Sequence, residues 1–191
     1  MQLPWDEHFL EIVIPAWQAY LAAERKLSEA ICSAEPHQVE RAKYDVLREG
    51  GAAAFYVHHF GEVVLRARPS WLPAEIRLPG DVLDWLAGQC TMLRTDEVVA
   101  DVALLADVAD ALKHAVLTRR TDGREVSTND AVLVLRRNYG EHRYGEGKFG
   151  GADEVWILAR SGARALSSVL QNVVDAWRRV AGIHLPAIGQ P

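Results

Sequence analysis

The chain has little cysteine: Cys32 and Cys90 are the only two among its 191 residues. Two distant cysteines do not form a disulfide framework, and no Cys-x-x-Cys pair is present to start a zinc site or a redox motif. Such sparse cysteine usage is typical of proteins in a reducing compartment. We therefore expect a cytoplasmic protein.

Long hydrophobic runs are also missing. No stretch reaches the ~18 uninterrupted apolar residues of a membrane-spanning helix, and the first residues carry no basic region ahead of an apolar segment. We expect neither a membrane span nor a secretory signal. The chain also has no excess of positive charge, because its formal net charge is −5. That balance argues against nucleic acid or an anionic membrane as a partner of the whole surface.

The remaining composition is that of an ordinary globular protein, with 49% hydrophobic and 25% charged residues. A chain of this length fits one domain and buries roughly 70% of the surface that its unfolded form exposes. We predict a single domain over residues 1–191. It would consist of a helical bundle (1–120), a β-hairpin insertion (121–160) and a C-terminal helix packed on the bundle (161–184).

Helical periodicity dominates the first two thirds of the chain. Between Trp17 and Ile31, mostly apolar residues recur at spacings of three and four. Pro15 fits the first turn of that helix, or a kink if the residues before it are helical too. A second helix is predicted over residues 36–67, because Pro69 disfavours its continuation.

Two shorter helices are predicted further along. One covers residues 82–93 with a cap at Asp81, and the other covers 97–117 with a cap at Thr95 or Asp96. The second carries an apolar stripe at helical spacing, which consists of Val98, Val102, Leu105, Ala109, Leu112 and Val116.

The period changes after the turn signal at Asp122-Gly123. A short strand is predicted over 124–127, and the β-prone runs 131–135 and 154–158 predict a hairpin. An amphipathic helix follows. The predicted fold is mainly α: an antiparallel helical bundle of four or five helices, with a β-hairpin or small sheet before the C-terminal helix. The predicted core includes Trp17, Leu21, Phe60, Val63, Leu105, Leu112, Val116, Val173 and Trp177.

Two polar clusters interrupt otherwise apolar helical segments, and the first contains His58, His59 and Glu62. The histidines precede the glutamate by four and three residues, so each pair can meet on a helix surface. The apolar side of the same helix is predicted to carry Tyr56, Phe60, Val63 and Val64, away from the histidines.

The second cluster contains Asp107, Asp110 and His114, which fall within roughly 60° of one another on a helix. If the two helices face each other, carboxylates and imidazoles converge on a candidate divalent-metal site. A bound metal would lower the pKa of a water molecule and make it a nucleophile. The alternatives are a solvated polar face or a network of ionisable groups that satisfy one another.

A long glycine-rich connection separates the two β-prone runs. An aromatic-glycine step recurs there every five residues, at Tyr139, Tyr144 and Phe149. No Gly-Lys-Ser/Thr follows, so the segment is not a phosphate-binding loop. Connections of this length often have a function, which predicts that the three rings contact a protein partner or a second copy of the chain. The alternative is a hairpin connection whose rings pack onto the body of the protein.

Four segments together resemble a family of bacterial hypothetical proteins: Val57-His58-His59-Phe60, residues 107–114, the Tyr-Gly-Glu-rich loop, and residues 166–175. The resemblance spans most of the chain. It implies no substrate, cofactor or catalytic role.

Two functional hypotheses follow. The first is a cytoplasmic binding or assembly module that uses the glycine-aromatic loop, with a second copy or another protein as its partner. The second is a metal-dependent hydrolase whose His/Asp/Glu site lies between two helices. A purely structural polar network is the third interpretation of the same residues.

Overall fold

The structure of the chain, a computed structural model, describes residues 3–33, 35–93, 95–114, 123–135 and 153–184, and of His114 only the backbone. The described part is mainly α-helical, with a small three-stranded antiparallel sheet before the last helix, which confirms the predicted fold class. The elements in chain order are α1 (Trp5–His8), a π-helical turn (Phe9–Val13), α2 (Ile14–Ser33), α3 (Pro36–Ala67), α4 (Pro79–Ala87), α5 (Asp101–His114), a 3₁₀ turn (Asn129–Ala131), β1 (Val132–Leu135), β2 (Glu154–Ala159), β3 (Gly162–Ala165) and α6 (Leu166–Ala181).

The first helical segment is continuous, because α1 passes through the π-helical turn directly into α2. Pro15 is the second residue of α2 and lacks an N–H group. A proline inside a helix also collides with the carbonyl group four residues earlier, and a widened turn relieves that collision. The π-helical turn lies just before Pro15, and since the residues before it are helical too, Pro15 is inside one long helix and does not start it.

The longest helix, α3, matches its predicted bounds. It begins with Pro36 and ends at Ala67, and the next residue, Arg68, has a left-handed backbone with φ 50°. Pro69 follows, so the helix stops where sequence analysis places its end. α2 packs along α3, and α5 and α6 contact α3 as well. None of the helices in the described ranges is long and apolar enough to cross a membrane.

The two shorter helices differ from their predicted bounds. α4 covers Pro79–Ala87 instead of 82–93, and α5 begins at Asp101 instead of residue 97. Asp81 is inside α4, where its carboxylate accepts the backbone N–H groups of Arg77 and Leu78 at 3.1 and 2.9 Å. Asp81 therefore stabilises the start of α4 by accepting these hydrogen bonds from the third helical position and not from the cap position.

The segment before α5 forms a hook, which comprises residues 90–93 and 95–99. Thr91 and Val98 pair as an antiparallel bridge, and the N–H of Met92 donates to the carbonyl of Glu97 at 2.8 Å. Thr95 accepts the N–H of Glu97 inside this turn and does not cap a helix. Val98 is 59% exposed, so its prediction as part of the apolar stripe is wrong.

The sheet has the order β1-β2-β3, with both pairs antiparallel. The β1–β2 pair confirms the predicted hairpin. The predicted strand at 124–127 is wrong: this segment is a loop that braces the β2–β3 turn, since Glu125 accepts N–H groups from Arg160 and Ser161 at 3.1 and 2.8 Å. β3 was not predicted, because Gly-Ala-Arg-Ala contains no β-branched or aromatic residue.

The core lies where α3 and α6 meet the N-terminal helix. The Phe60 ring lies 5.0 Å from both the Phe9 ring and the Trp177 ring, measured between centroids. Of the nine predicted core residues, Trp17, Phe60, Leu105, Val173 and Trp177 are buried, Leu21, Val63 and Leu112 are partly buried against the core, and Val116 lies outside the described residues.

Candidate functional site

The carboxylates of α5 hold a loop residue. Arg124 Nη1 lies 3.0 Å from Asp110 Oδ2 and 3.4 Å from Asp107 Oδ1. Asp107 Oδ2 also accepts the backbone N–H of Glu125 at 2.7 Å. Burial raises the pKa of Asp107 above its ordinary value, although the Glu125 N–H and the Arg124 charge oppose that shift. Both predicted acidic ligands therefore already share one guanidinium group.

His58, a member of the first predicted cluster, is close enough to the second for the charge of Asp110 to act on its ring. Its Nδ1 atom is buried and makes no hydrogen bond within the described part of the chain. Burial lowers the pKa of His58, and the neighbouring His59 lowers it further, whereas the carboxylates of Asp110 and Glu62 raise it. α3 and α5 do pack against each other, so the charge of Asp110 acts on the His58 ring across the helix pair.

His59 points to a different environment. Its Nδ1 lies 2.9 Å from Glu62 Oε1, in a pair exposed to solvent. Its ring centroid lies 4.3 Å from that of Phe55 and 4.8 Å from that of His58. The pair therefore belongs to the outer surface of α3.

The predicted metal ligands thus divide into two sets. Asp107 and Asp110 hold Arg124, while His59 and Glu62 pair on the outside of α3. Among the side chains that the structure describes, no group of three or more histidine, cysteine, aspartate or glutamate residues is arranged to hold a metal ion. The His114 side chain lies outside that description, so its predicted role stays a prediction.

The outer surface of α3 carries a stripe of exposed and partly exposed residues that we call the α3 stripe. Three aromatic residues mark this surface: Tyr44 is 73% exposed, Phe55 is 38% exposed and Tyr56, at the edge, is 39% exposed. Phe55 and Tyr56 contact each other edge-on, with ring centroids 5.5 Å apart. The α3 stripe consists of Tyr44, Arg48, Gly51, Phe55, His59, Glu62 and Arg66, which lie within about 80° of one another at 100° per residue.

Sequence reasoning missed this surface and placed Tyr56 on the wrong side. Phe60 and Val64 are buried, as predicted for the apolar side, but Tyr56 is 39% exposed. The available signal was the spacing of Tyr44 and Phe55. Eleven residues are three helical turns, so both rings fall on the same line along the helix.

A second polar group that sequence reasoning missed lies in the interior. Glu24 of α2 is 2% exposed, and its Oε1 accepts the Tyr20 hydroxyl at 2.7 Å and the Val155 N–H at 3.2 Å. Burial raises the pKa of Tyr20 well above its ordinary value, and the charges of Glu24 and Glu154 add to that shift. Since Val155 belongs to β2, Glu24 joins the sheet to the helical bundle.

A cavity of about 300 Å³ lies between the hook and α6. Arg179 closes one side by donating to the Gln89 carbonyl at 2.9 Å and to Thr91 Oγ1 at 3.1 Å. The nearby Cys90 is buried, and burial raises the pKa of its thiol to about 12. Cys90 is therefore protonated at neutral pH and unsuited to act as a nucleophile. The cavity is lined by Thr91, Met92, Leu93, Thr95, Asp96, Asp175 and Arg179.

The predicted partner-binding rings Tyr139, Tyr144 and Phe149 lie outside the described residues, so their role stays a prediction. Comparisons of the chain with protein-family models, with curated proteins and with solved structures found no match.

Proposed function

We propose that this chain is a binding or assembly module that docks another polypeptide on the α3 stripe. The exposed aromatic group Tyr44, Phe55 and Tyr56 carries this proposal. Isolated exposed apolar residues are common, but aromatic rings grouped on one surface are enriched where proteins bind each other. A helix that lays exposed apolar side chains into a groove of its partner is one of the recurring recognition modes.

The charges of the stripe also suit a protein interface. Arg48 and Glu62 lie on either side of the central Phe55, with side chains 67% and 60% exposed. Charged residues around an aromatic centre form the polar rim that sets the orientation of a partner. The glycine-aromatic loop with Tyr139, Tyr144 and Phe149 is the second predicted contact of the same module.

We place the module in the cytoplasm, because both cysteines are free. Cys32 is exposed, and an exposed free thiol is suited to a reducing compartment. The candidate partners are a protein or a second copy of the chain.

A photo-crosslinking amino acid at Tyr56 of the full-length chain, in living cells, tests the docking surface. We expect a covalent adduct with a polypeptide, and we expect Phe55→Asp to abolish it while the helical circular dichroism spectrum is retained. The same crosslinker at the exposed Gln18 of α2 is the matched control. Adduct yields at Tyr56 that do not exceed those at Gln18 would refute the proposal.

Removal of residues 141–148 tests the second contact. We expect the shortened chain to keep its helical spectrum and to lose association measured by sedimentation. Association at wild-type strength would exclude the loop and leave the α3 stripe as the docking surface.

A metal-dependent hydrolase is the second candidate, favoured by the unpartnered Nδ1 of His58 in the electrostatic range of Asp110. A bound divalent ion would supply an activated water at this position. Elemental analysis of untagged protein should then find a near-stoichiometric metal that is lost on Asp110→Ala or His114→Ala. Retention of the metal by both variants would exclude these ligands, and metal-free wild-type protein after incubation with zinc, manganese and iron would exclude the site.

A further inference from the structure

The α3 stripe has an internal symmetry in its spacing. Starting from Tyr44, its members follow one another at intervals of 4, 3, 4, 4, 3 and 4 residues up to Arg66. This series reads the same from either end, and Phe55 is its centre. Every member before Phe55 therefore has a counterpart at the same distance after it along the helix axis.

The chemistry of these counterparts is complementary. Arg48 lies seven residues before Phe55, and the acidic Glu62 lies seven residues after it. Tyr44 lies eleven residues before the centre, and Arg66 lies eleven after it, which pairs an aromatic face with a guanidinium group. Gly51 and His59 lie four residues on either side of Phe55, but both are only partly exposed, and Gly51 is at the edge of the stripe that faces Leu112 of α5.

In two antiparallel helices related by a twofold axis, the residue n positions before the centre faces the residue n positions after it in the other copy. A second α3 stripe placed this way puts Phe55 on Phe55. It puts each Arg48 on the other copy's Glu62 and each Tyr44 on the other copy's Arg66. A stripe that binds an unrelated protein does not need to carry both members of each complementary pair, Arg48 with Glu62 and Tyr44 with Arg66.

We propose that the occupant of the α3 stripe is a second copy of this chain, docked antiparallel about a twofold axis at Phe55. This inference rests on the proposed docking function and names its partner. Within one chain, Arg48 lies 2.9 Å from both Asp45 and Glu49, and Glu62 lies 2.9 Å from His59. These intrachain contacts keep the charged groups of Arg48 and Glu62 on the stripe. The ring contacts at the centre supply apolar burial, and the outer charges fix the register and direction.

Charge reversal in the full-length chain tests this register. We expect the wild-type chain to sediment as a concentration-dependent dimer. Arg48→Glu places two acidic pairs in the dimer, and Glu62→Arg places two basic pairs, so each single variant should weaken dimerisation by about tenfold or more. Far-ultraviolet circular dichroism and thermal unfolding of each variant confirm that the monomers remain folded.

A mixture of the two single variants gives the decisive result. An Arg48→Glu chain facing a Glu62→Arg chain restores opposite charges in both pairs, so the mixture should form a heterodimer at wild-type strength. The double variant Arg48→Glu, Glu62→Arg should also regain the homodimer. Arg25→Glu and Glu29→Arg on the exposed surface of α2 are the matched controls and should leave dimerisation unchanged.

Two results would overturn the inference while leaving the proposed function intact. One is a wild-type chain that stays monomeric at every concentration but forms the Tyr56 adduct with a different protein. The other is a dimer that ignores both charge reversals or is not restored in the mixture, because its interface then has another register. A Tyr56 adduct between two copies of the chain supports the inference, and the absence of any Tyr56 adduct refutes the proposed function itself.

Discussion

The His58 ring is a partly buried ionisable group, and its buried Nδ1 atom has no hydrogen-bond partner among the residues that the structure describes. Its pKa is lowered first by burial and then by the adjacent His59, so the folded protein holds the neutral ring down to a lower pH than the unfolded chain does. The carboxylates of Asp110 and Glu62 only partly offset this effect. At the residue scale, His58 is therefore a source of acid sensitivity.

The sign of that sensitivity follows from proton binding. The unfolded ring has an ordinary pKa of about 6.5 and binds a proton below it, while the folded ring does so only at lower pH. The unfolded state then holds more protons, so stability falls as the pH is lowered from about 6.5 through the folded pKa. We expect His58→Gln to reduce the slope of unfolding free energy against pH, by at most about 1.4 kcal/mol per pH unit, since one group exchanges one proton.

Urea unfolding between pH 5 and pH 8 measures this slope. His37→Gln, at an exposed position in the first turn of α3, is the comparison variant. Burial lowers the pKa of His8 as well, so part of the acid sensitivity should persist in the His58 variant. Superimposable slopes for the wild type and His58→Gln would contradict the assignment.

At the scale of elements, two adjacent glycines decide how closely helices approach α3. A Cβ atom on Gly50 would lie 2.9 Å from Leu166 Cδ2 and 3.3 Å from the Tyr20 ring. A Cβ atom on Gly51 would lie 3.5 Å from Leu112 Cδ1, which is an ordinary contact distance. Gly50 therefore lets α2 and α6 approach α3, whereas Gly51 is a helix position with room for a methyl group.

These neighbouring positions predict opposite effects of alanine. In a helix interior, replacing glycine by alanine stabilises the folded protein by roughly 0.5–1 kcal/mol. Overpacking of a core costs about 1–3 kcal/mol, and both Leu166 and Tyr20 are fully buried. Gly51→Ala should therefore be stabilising by up to about 1 kcal/mol, and Gly50→Ala should be destabilising by about 1 kcal/mol. Equal stabilisation of both variants in dilute urea titrations would show that α6 does not approach α3 this closely.

At the scale of the whole molecule, one buried carboxylate joins three elements. Asp101, the first residue of α5, is fully buried, and it lies 2.8 Å from Arg164 Nη1 of β3 and accepts Asn172 Nδ2 of α6 at 2.8 Å. Asn172 in turn accepts the N–H of Leu93 from the hook at 3.0 Å. The start of α5, the last strand and the last helix are thus fixed by one connected polar network.

Removal of this carboxylate should therefore affect global stability. Asp101→Ala removes a buried acceptor of the Arg164 guanidinium, and breaking a buried ion pair typically costs about 3–5 kcal/mol. We expect a loss of that size in the free energy of unfolding measured by urea titration. Asp96→Ala on the exposed hook should cost less than about 0.5 kcal/mol. A loss below about 1 kcal/mol for Asp101→Ala would show that the network does not bear on global stability.

Sequence periodicity predicted what depends on neighbours along the chain. The bounds of α3, the β1–β2 pair and the amphipathic α6 were predictable, because proline positions and apolar spacing act locally. The hook, the late start of α5 and β3 were not predictable in this way. Each depends on hydrogen bonds between residues far apart along the chain, such as Leu93 with Asn172 or Arg160 with Glu125. Local sequence propensity contains no information about such partners.

The candidate site shows the same division. The sequence by itself determined that histidines and carboxylates share one face of each helix, and that Tyr44 and Phe55 fall on a common line along α3. Only the tertiary structure decided that Arg124 pairs with Asp107 and Asp110, that the Nδ1 atom of His58 is buried and that the aromatic line faces solvent. The physical reason is that helical geometry fixes the relative directions of side chains within one element, whereas burial and charge pairing depend on what other elements cover.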